Sequence, residues 1–225
     1  MELYEIMRRT FSAREFTNEP LPDSTLYKIL DNARFAPSGG NRQGWRVIII
    51  RDHKTRKKLA DLAEPAAKRY AAQKRAGENP WNTIEPTSVD AETIEKTPAS
   101  THLTKTYLQA AVVLVVCVDL KVVASMDKDL KRIGVVSGAS IYPFVWNILL
   151  AARNEEYGGT ITTMPVAEEP KLQELLGIPK HCAVSAIVPL GKPIRNLTHL
   201  KRKPVSSFAT IEHWDGKPFG KVSND

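Results

Sequence analysis

Tyr107-Leu-Gln-Ala-Ala-Val-Val-Leu-Val-Val-Cys-Val-Asp-Leu120 holds the longest unbroken apolar run of the chain, the nine residues from Ala110 to Val118. Nine is less than half of the roughly 20 residues needed to cross a bilayer. A short β-branched run without polar alternation predicts a strand covered on both faces. Two more segments have this character: Trp45 to Ile50 (WRVIII) and Ala183 to Leu190 (AVSAIVPL). Helical patterns separate them. Residues 2–9 and 22–35 both read as helices; in the second, Pro22-Asp23-Ser24 supplies a start signal, and Leu26, Ile29, Leu30 and Ala33 share one face. A basic helix is expected from about Lys54, and a short one from Pro170 to Leu176 closed by Gly177. Val135 to Arg153 reads as a helix apolar on most faces, which requires burial, and Pro143 demands a kink or a later start. The expected class is α+β, with a mostly antiparallel sheet flanked by helices.

Composition narrows the possibilities further. The 225 residues carry 32 Lys and Arg against 25 Asp and Glu, a net charge of +7, with 42% apolar and 25% charged residues. This balance suits one globular domain, 1–225, and excludes disordered, collagenous and disulfide-scaffold classes. The positive charges gather at Lys54–Lys58, Lys68–Arg75 and Lys201–Lys203 without interleaved aromatic residues, so no nucleic-acid partner is expected. The N-terminal MELYEIMRRT lacks the basic and apolar regions of a signal peptide, and a cytoplasmic location with no membrane partner is expected. Cys117 and Cys182 have no metal-knuckle or redox spacing and read as structural, and no metal is expected. Residues 64–104, interrupted by Gly77, Pro80, Pro86 and Pro98, form a lid candidate, and the extension 191–225, with Pro193, Pro204 and Pro218, is expected to wrap the body or a second subunit.

Three segments present groups suited to an anion or a planar heterocycle. Arg8-Arg9-Thr10-Phe11-Ser12-Ala13-Arg14 offers guanidiniums and hydroxyls for charge-assisted hydrogen bonds. In Pro37-Ser38-Gly39-Gly40-Asn41-Arg42-Gln43 the glycines allow close backbone approach, and the amides can donate and accept. Gly158-Gly159-Thr160-Ile161-Thr162-Thr163-Met164-Pro165 could present amides and hydroxyls to a ring face, or be an edge strand. The five histidines lie in expected loops or termini, without a nucleophile or a general-base partner.

In this order and spacing the segments resemble the FMN-dependent nitroreductase superfamily, which includes nitroreductases, flavin reductases and iodotyrosine deiodinase. The resemblance runs from RTFSAREF through ILDNARFAPSGGNRQGWRVIII, NILLAARNEEYGGTITTMP, PKLQELLGIP and VPLGKP to LKRKP. It implies an intertwined homodimer that binds FMN and takes electrons from NAD(P)H. No residue is expected to be catalytic, because the flavin carries the chemistry. Ser12 and Arg14 match the end of the family's Arg-rich motif; its first arginine falls on Thr10, passing the phosphate to Arg8 or Arg9. Pro37, Ser38, Gly39, Asn41 and Gln43 match the second flavin segment, Ile161, Thr162 and Thr163 the Thr-rich strand, and Arg202 the terminal phosphate arginine. Lys105 matches the lysine of the deiodinase lid, but the lid's Glu-x-x-x-Tyr is missing, Tyr70 being preceded at that spacing by Ala66. The resemblance therefore implies reduction of a nitroaromatic, quinone or related aromatic acceptor, with Trp81 and Lys105 on the substrate. A specialised flavin reductase or dehydrogenase, or a flavin-storage protein without turnover, are the alternatives.

Overall fold

The computed structural model describes residues 2–220, so the last five positions of the C-terminal extension lie outside the described residues. Four strands form one antiparallel sheet in the order β1-β2-β4-β3: β1 is Trp45–Ile50, β2 Val112–Asp119, β3 Gly158–Gly159 and β4 Cys182–Gly191. The unbroken apolar reading of β2 has a simple cause. Val112, Leu114, Val116 and Val118 enter one core, whereas Val113, Val115 and Cys117 enter another on the opposite face. Side chains alternate along a strand, so covering both faces removes the polar half of the pattern.

Helix α2, Asp23–Ala33, and helix α7, Tyr142–Asn154, cover the first face; Leu26, Ile29, Phe144, Val145, Ile148 and Leu149 pack there. Trp45 stacks on Phe144 with ring centroids 4.7 Å apart, joining β1 to α7. Helix α3, His53–Arg75, with α6, Thr106–Gln109, and α8, Glu169–Leu176, covers the second face through Leu59, Ala63, Tyr107 and Leu172. Helix α1, Leu3–Arg9, leads into the Ser12–Arg14 segment, and α4, Ala91–Lys96, and α5, Thr101–Thr104, follow α3. A bulge at Val116/Cys117 shifts the β2–β4 register and leaves Ser185 unpaired in the ladder; its carbonyl accepts a bond from Tyr142 Oη at 3.1 Å.

The structure corrects three readings. The helix expected over 135–153 is a 3₁₀ turn, Val136–Ser140, then a break at Ile141, then α7. Pro143 sits in the first turn of α7, where its missing N–H has no intrahelical partner to lose. Second, residues 64–75, read as the start of the lid, continue α3 without a break. Pro65 and the residue four before it, Asp61, are both exposed, so the carbonyl freed at Asp61 faces water. Third, of the possible edge strand 158–165 only Gly158–Gly159 is a strand, and Thr162 makes an isolated bridge to Ile187. Among the described residues no helix is long and apolar enough to cross a membrane.

Candidate active site

Ser12 bridges Gly159, and the Ala13 amide donates to the Gly159 carbonyl at 2.9 Å, fixing the Arg-rich segment as an extra strand beyond β3. Three adjoining cavities open beside it. The first, about 280 Å³, is lined by Phe11 to Glu15, His102, Arg195 and Leu197. The second, about 480 Å³, shares Arg14 and His102 with it and adds Lys74, Arg75, Ser100 and Tyr70. Tyr70 is shared again with the third, about 500 Å³, whose wall is Ala66, Pro80, Trp81, Thr163, Met164, Val166 and Ala167. The result is a trough that is cationic at one end and apolar, aromatic and uncharged at the other.

Charge at the cationic end is mainly positive, with Glu15 the one carboxylate among the lining residues of the first two cavities. Arg14, Lys74, Arg75 and Arg195 form no ion pair among the described residues, and Arg14 makes only a long bond, 3.3 Å, to the Ser12 carbonyl. Free guanidiniums beside a free hydroxyl suit ring carbonyls and anions. The donor set therefore fits FMN. Ser12 and Arg14 could hold the heterocycle, and the flanking cations could hold an anionic group.

The remaining predicted residues are distributed as follows. Thr163 faces the trough, but Ile161 packs against the core and Thr162 Oγ1 lies 3.4 Å from the hydroxyl of buried Tyr107. Burial pushes the Tyr107 phenol well above its ordinary range, so it stays protonated. Thr10, at the place of the family's first arginine, is buried and donates to the Ile6 carbonyl at 2.8 Å. Arg8 is exposed and forms no ion pair among the described residues. Arg9 pairs with Glu5 and lines a separate cavity of about 500 Å³ with Arg153, Lys192 and Asn196. Arg153 is buried there, donates to Asn196 Oδ1 at 2.6 Å and leaves its Nε without a partner; burial, then Arg9, push its guanidinium below the usual value. Lys105 is exposed between α5 and α6, and Arg202 is exposed, its one side-chain hydrogen bond among the described residues going to the Lys201 carbonyl.

The Pro37–Gln43 loop is elsewhere. Gly44, next to it, accepts the Asp119 amide at the end of β2, whereas Ser12 reaches the sheet through Gly159 and Leu190, opposite Val112 at the start of β2. Seven residues of strand separate the two levels, about 23 Å at 3.3 Å per residue. Within one chain these segments cannot touch the same ring system. The loop is also strained: Gly40, Asn41 and Gln43 have φ of 60°, 53° and 50°, and Ser38 Oγ and the Asn41 side chain hold Gln43 in place. Glutamine has no intrinsic reason to be left-handed, and such outliers cluster at ligand clamps.

Trp81 has φ 57°, is 40% exposed, and lies under the Arg69 guanidinium at 4.3 Å. The stack covers one face of the ring, and Trp81 also lines the cavity. The segment around it is tied down by Glu78, which accepts from Gln73, from the Thr87 hydroxyl and from the Ser88 amide and hydroxyl. These donors, Thr87 and Ser88 foremost, hold the Glu78 carboxyl down at about 2. A carboxyl lowered on folding adds stability that is complete above its ordinary value of 4.5 and is lost as pH falls through about 2. Amide exchange over residues 78–88 should accelerate in that window, and Glu78→Gln should give the open behaviour at neutral pH. Uniform protection down to pH 2 would remove Glu78 as the anchor.

Sequence reasoning missed Tyr70, Lys74, Arg75, Met164 and Arg195, and placed His102 among surface residues; it is exposed, but it lines the trough with its Nδ1 2.8 Å from Ser100 Oγ. Lys74 and Arg75 on α3 carry no signal until the fold turns them toward Arg14.

The chain is thus a three-layer α/β/α sandwich with the Ser12–Arg14 segment beside its edge strand. Residues 7–192 match the Nitroreductase family, and the chain belongs to it. It is 28% identical over 209 residues to iodotyrosine deiodinase 1 of Rattus norvegicus, covering 92% of this chain and 68% of that one. Among solved structures it resembles an iodotyrosine deiodinase bound to FMN and 3-iodo-L-tyrosine, with a TM-score of 0.62 and 22% identity over 91% of this chain and 96% of the other. It also resembles the NADPH:FMN oxidoreductase of Vibrio harveyi complexed with NAD+, with a TM-score of 0.65 and 19% identity over 98% of this chain and 79% of the other.

Proposed function

We propose that the protein is an FMN-dependent oxidoreductase that takes electrons from NAD(P)H and reduces a small, uncharged aromatic acceptor, such as a nitroaromatic or a quinone. The observation that carries this reading is the trough: unpaired cations around Arg14 at one end, and an uncharged pocket of Tyr70, Trp81 and Met164 at the other. Bound FMN would supply the electron transfer; the chain's own residues bind, orient and exclude water. Arg14 and Ser12 serve the heterocycle, Thr163 stands between it and the aromatic pocket, and Trp81 offers a flat face for the acceptor. Of the two arginines open to the phosphate, Arg9 is favoured, because it alone faces a cation-lined cavity.

The site is proposed to be completed in a homodimer. A separation of about 23 Å between Ser12 and the strained Pro37–Gln43 loop makes sense if each flavin takes Ser12 from one subunit and the loop from the other. The lid, from Ala76 to about 104, is proposed to select the acceptor, with Lys105 as a charge at its hinge.

The deiodinase relatives make 3-iodo-L-tyrosine the necessary competitor. An uncharged pocket has nothing to hold an amino-acid zwitterion, so iodotyrosine is expected to be a poor substrate. The purified protein should be yellow, bleach anaerobically with NADH or NADPH, and recover its colour on adding p-benzoquinone or nitrobenzene. Trp81→Ala should retain the flavin and raise KM for the aromatic acceptor about tenfold, the worth of one desolvated aromatic contact. Iodide release from 3-iodo-L-tyrosine faster than quinone reduction would replace this reading with deiodination, and a yellow protein that no nicotinamide bleaches would mean storage.

A further inference from the structure

At the end of the sheet away from Ser12, the last residue of β2, Asp119, is the cross-strand partner of Cys182, the first residue of β4, and His181 precedes it. One donor atom from each of the three lies within 4.8 Å of the others. We propose that Asp119, His181 and Cys182 bind a divalent transition ion of the zinc class, a site separate from the flavin trough.

The backbone positions are rigid. The Asp119 amide donates to Gly44 at 2.9 Å, the Leu120 amide to the His181 carbonyl at 2.9 Å, and the Cys182 amide to Pro179 at 2.8 Å. One carboxylate oxygen, Asp119 Oδ1, accepts the Lys121 amide at 2.9 Å, which orients the other toward His181. That second oxygen is 4.0 Å from His181 Nε2, too far for a hydrogen bond. The pair is therefore not explained as a hydrogen-bonded couple. In a tetrahedral site with bonds of about 2.0–2.3 Å the donors stand roughly 3.3–3.8 Å apart, so closing on an ion needs about 1 Å of movement. His181 and Asp119 are half-exposed and able to make it, while Cys182 is buried behind them.

The mixture of donors selects the ion. Calcium and magnesium require oxygen ligands almost exclusively. Thiolate, imidazole and carboxylate together suit Zn²⁺ and its spectroscopic substitute Co²⁺, with water at the fourth position. On binding, the thiol proton is released to solvent and the sulfur–metal bond forms without any change of oxidation state. The ion would clip the end of β2 to the start of β4 beside Gly44, which leads back into the Pro37–Gln43 loop.

The test uses the full chain and Co²⁺ alone. One equivalent should produce the near-ultraviolet sulfur-to-cobalt band, Zn²⁺ should bleach it, and either ion should raise the melting temperature. Cys182→Ser should abolish the band. His181→Ala and Asp119→Asn should each weaken Co²⁺ by at least about tenfold, with the flavin spectrum as the check on folding. Cys117→Ser is the control: that thiol is buried in the core and pushed up to about 11 by its burial. Absence of the band, its survival in Cys182→Ser, its loss in Cys117→Ser, or unchanged affinity in His181→Ala would each overturn the site. Where Cys182→Ser does not fold, the His181→Ala titration decides.

Discussion

Gly159→Ala should destabilise the sheet strongly. A Cβ there would stand 2.4 Å from the Pro189 carbonyl oxygen, 2.6 Å from Leu190 Cδ2 and 3.3 Å from Leu149 Cδ2. The nearest obstacle is backbone, which cannot rotate away. Gly159 is paired to Leu190 on one side and to Ser12 on the other, so the strand must peel from both. Overpacking of this kind costs about 3 kcal/mol, and at 2–4 °C per kcal/mol for a chain this size the melting temperature should fall by roughly 6–12 °C. Flavin should be lost in parallel, because the Ala13 bond to the Gly159 carbonyl is what positions Ser12 and Arg14. Gly177→Ala is the comparison. Its φ is 65° with open space around the added carbon, so it pays only the left-handed backbone penalty of about 1 kcal/mol and leaves the flavin in place. Equal melting temperatures for the two variants would mean that β3 relaxes freely and that the Ser12 segment has another anchor.

What could be read in advance follows from the distance over which each signal acts. Strands β2 and β4 were legible because double-sided burial leaves its mark in consecutive residues, β1 because its run is β-branched although Arg46 and Ile49 are exposed, and α2 because its apolar face repeats within one stretch of chain. The break at Ile141 was only half legible. Pro143 announced an interruption, but whether a proline kinks a helix or begins one depends on what precedes it, and Val136–Ser140 is apolar enough for either. The boundary placed at residue 64 was compositional. Burial of Leu59, Ala63, Ala66 and Ala67 along one side of α3 carries the helix past Pro65.

The site was legible by residue type and not by arrangement. Ser12 and Arg14 line the cavities at one end of the trough, and Thr163 and Trp81 the cavity at the other. Motif order alone, however, says nothing about whether Pro37–Gln43 reaches that trough in the same subunit; that comes from register, which places the loop at the other end of β2. The same limit applies to the grouping of Asp119, His181 and Cys182, the metal site proposed above. Metal spacing rules read ligands close in sequence, whereas here an antiparallel pairing supplies the proximity.

Two truncations of the C-terminal extension should have sharply different consequences. Residues 192–196 stitch the chain to the Arg-rich segment: the Thr17 amide donates to Lys192, the Ile194 amide to Glu15, Pro193 bridges Phe16, and Asn196 accepts from Arg153. Ending the chain at Gly191 removes all of these together with Arg202, so folding, flavin and assembly should fail together. Ending it at Thr198 keeps the stitch. It removes Arg202 and a stretch whose apolar side chains meet water in the single chain: Val205, Phe208, Ile211 and Phe219 are exposed, and Trp214 is 98% exposed. An indole left almost wholly in water is the mark of a surface awaiting a partner. The proposed partner is a second copy, the same one proposed to complete the flavin site. The Thr198 truncation should therefore melt within a few degrees of the full chain, yet run as a monomer in light scattering at micromolar concentration and lose FMN on dialysis. Arg202→Ala, by contrast, should remain dimeric and weaken FMN by about 10- to 150-fold, the range for one charge-assisted bond of roughly 1.5–3 kcal/mol to the phosphate. If the Thr198 truncation stays dimeric, the exposed apolar stretch is not the interface and α1 with α7, where Leu3, Tyr4, Met7, Tyr142 and Trp146 are also exposed, must carry assembly alone. If Arg202→Ala retains FMN while the truncation loses it, the extension holds the cofactor only by holding the two subunits together, and the phosphate belongs to Arg9, Arg153 and Lys192.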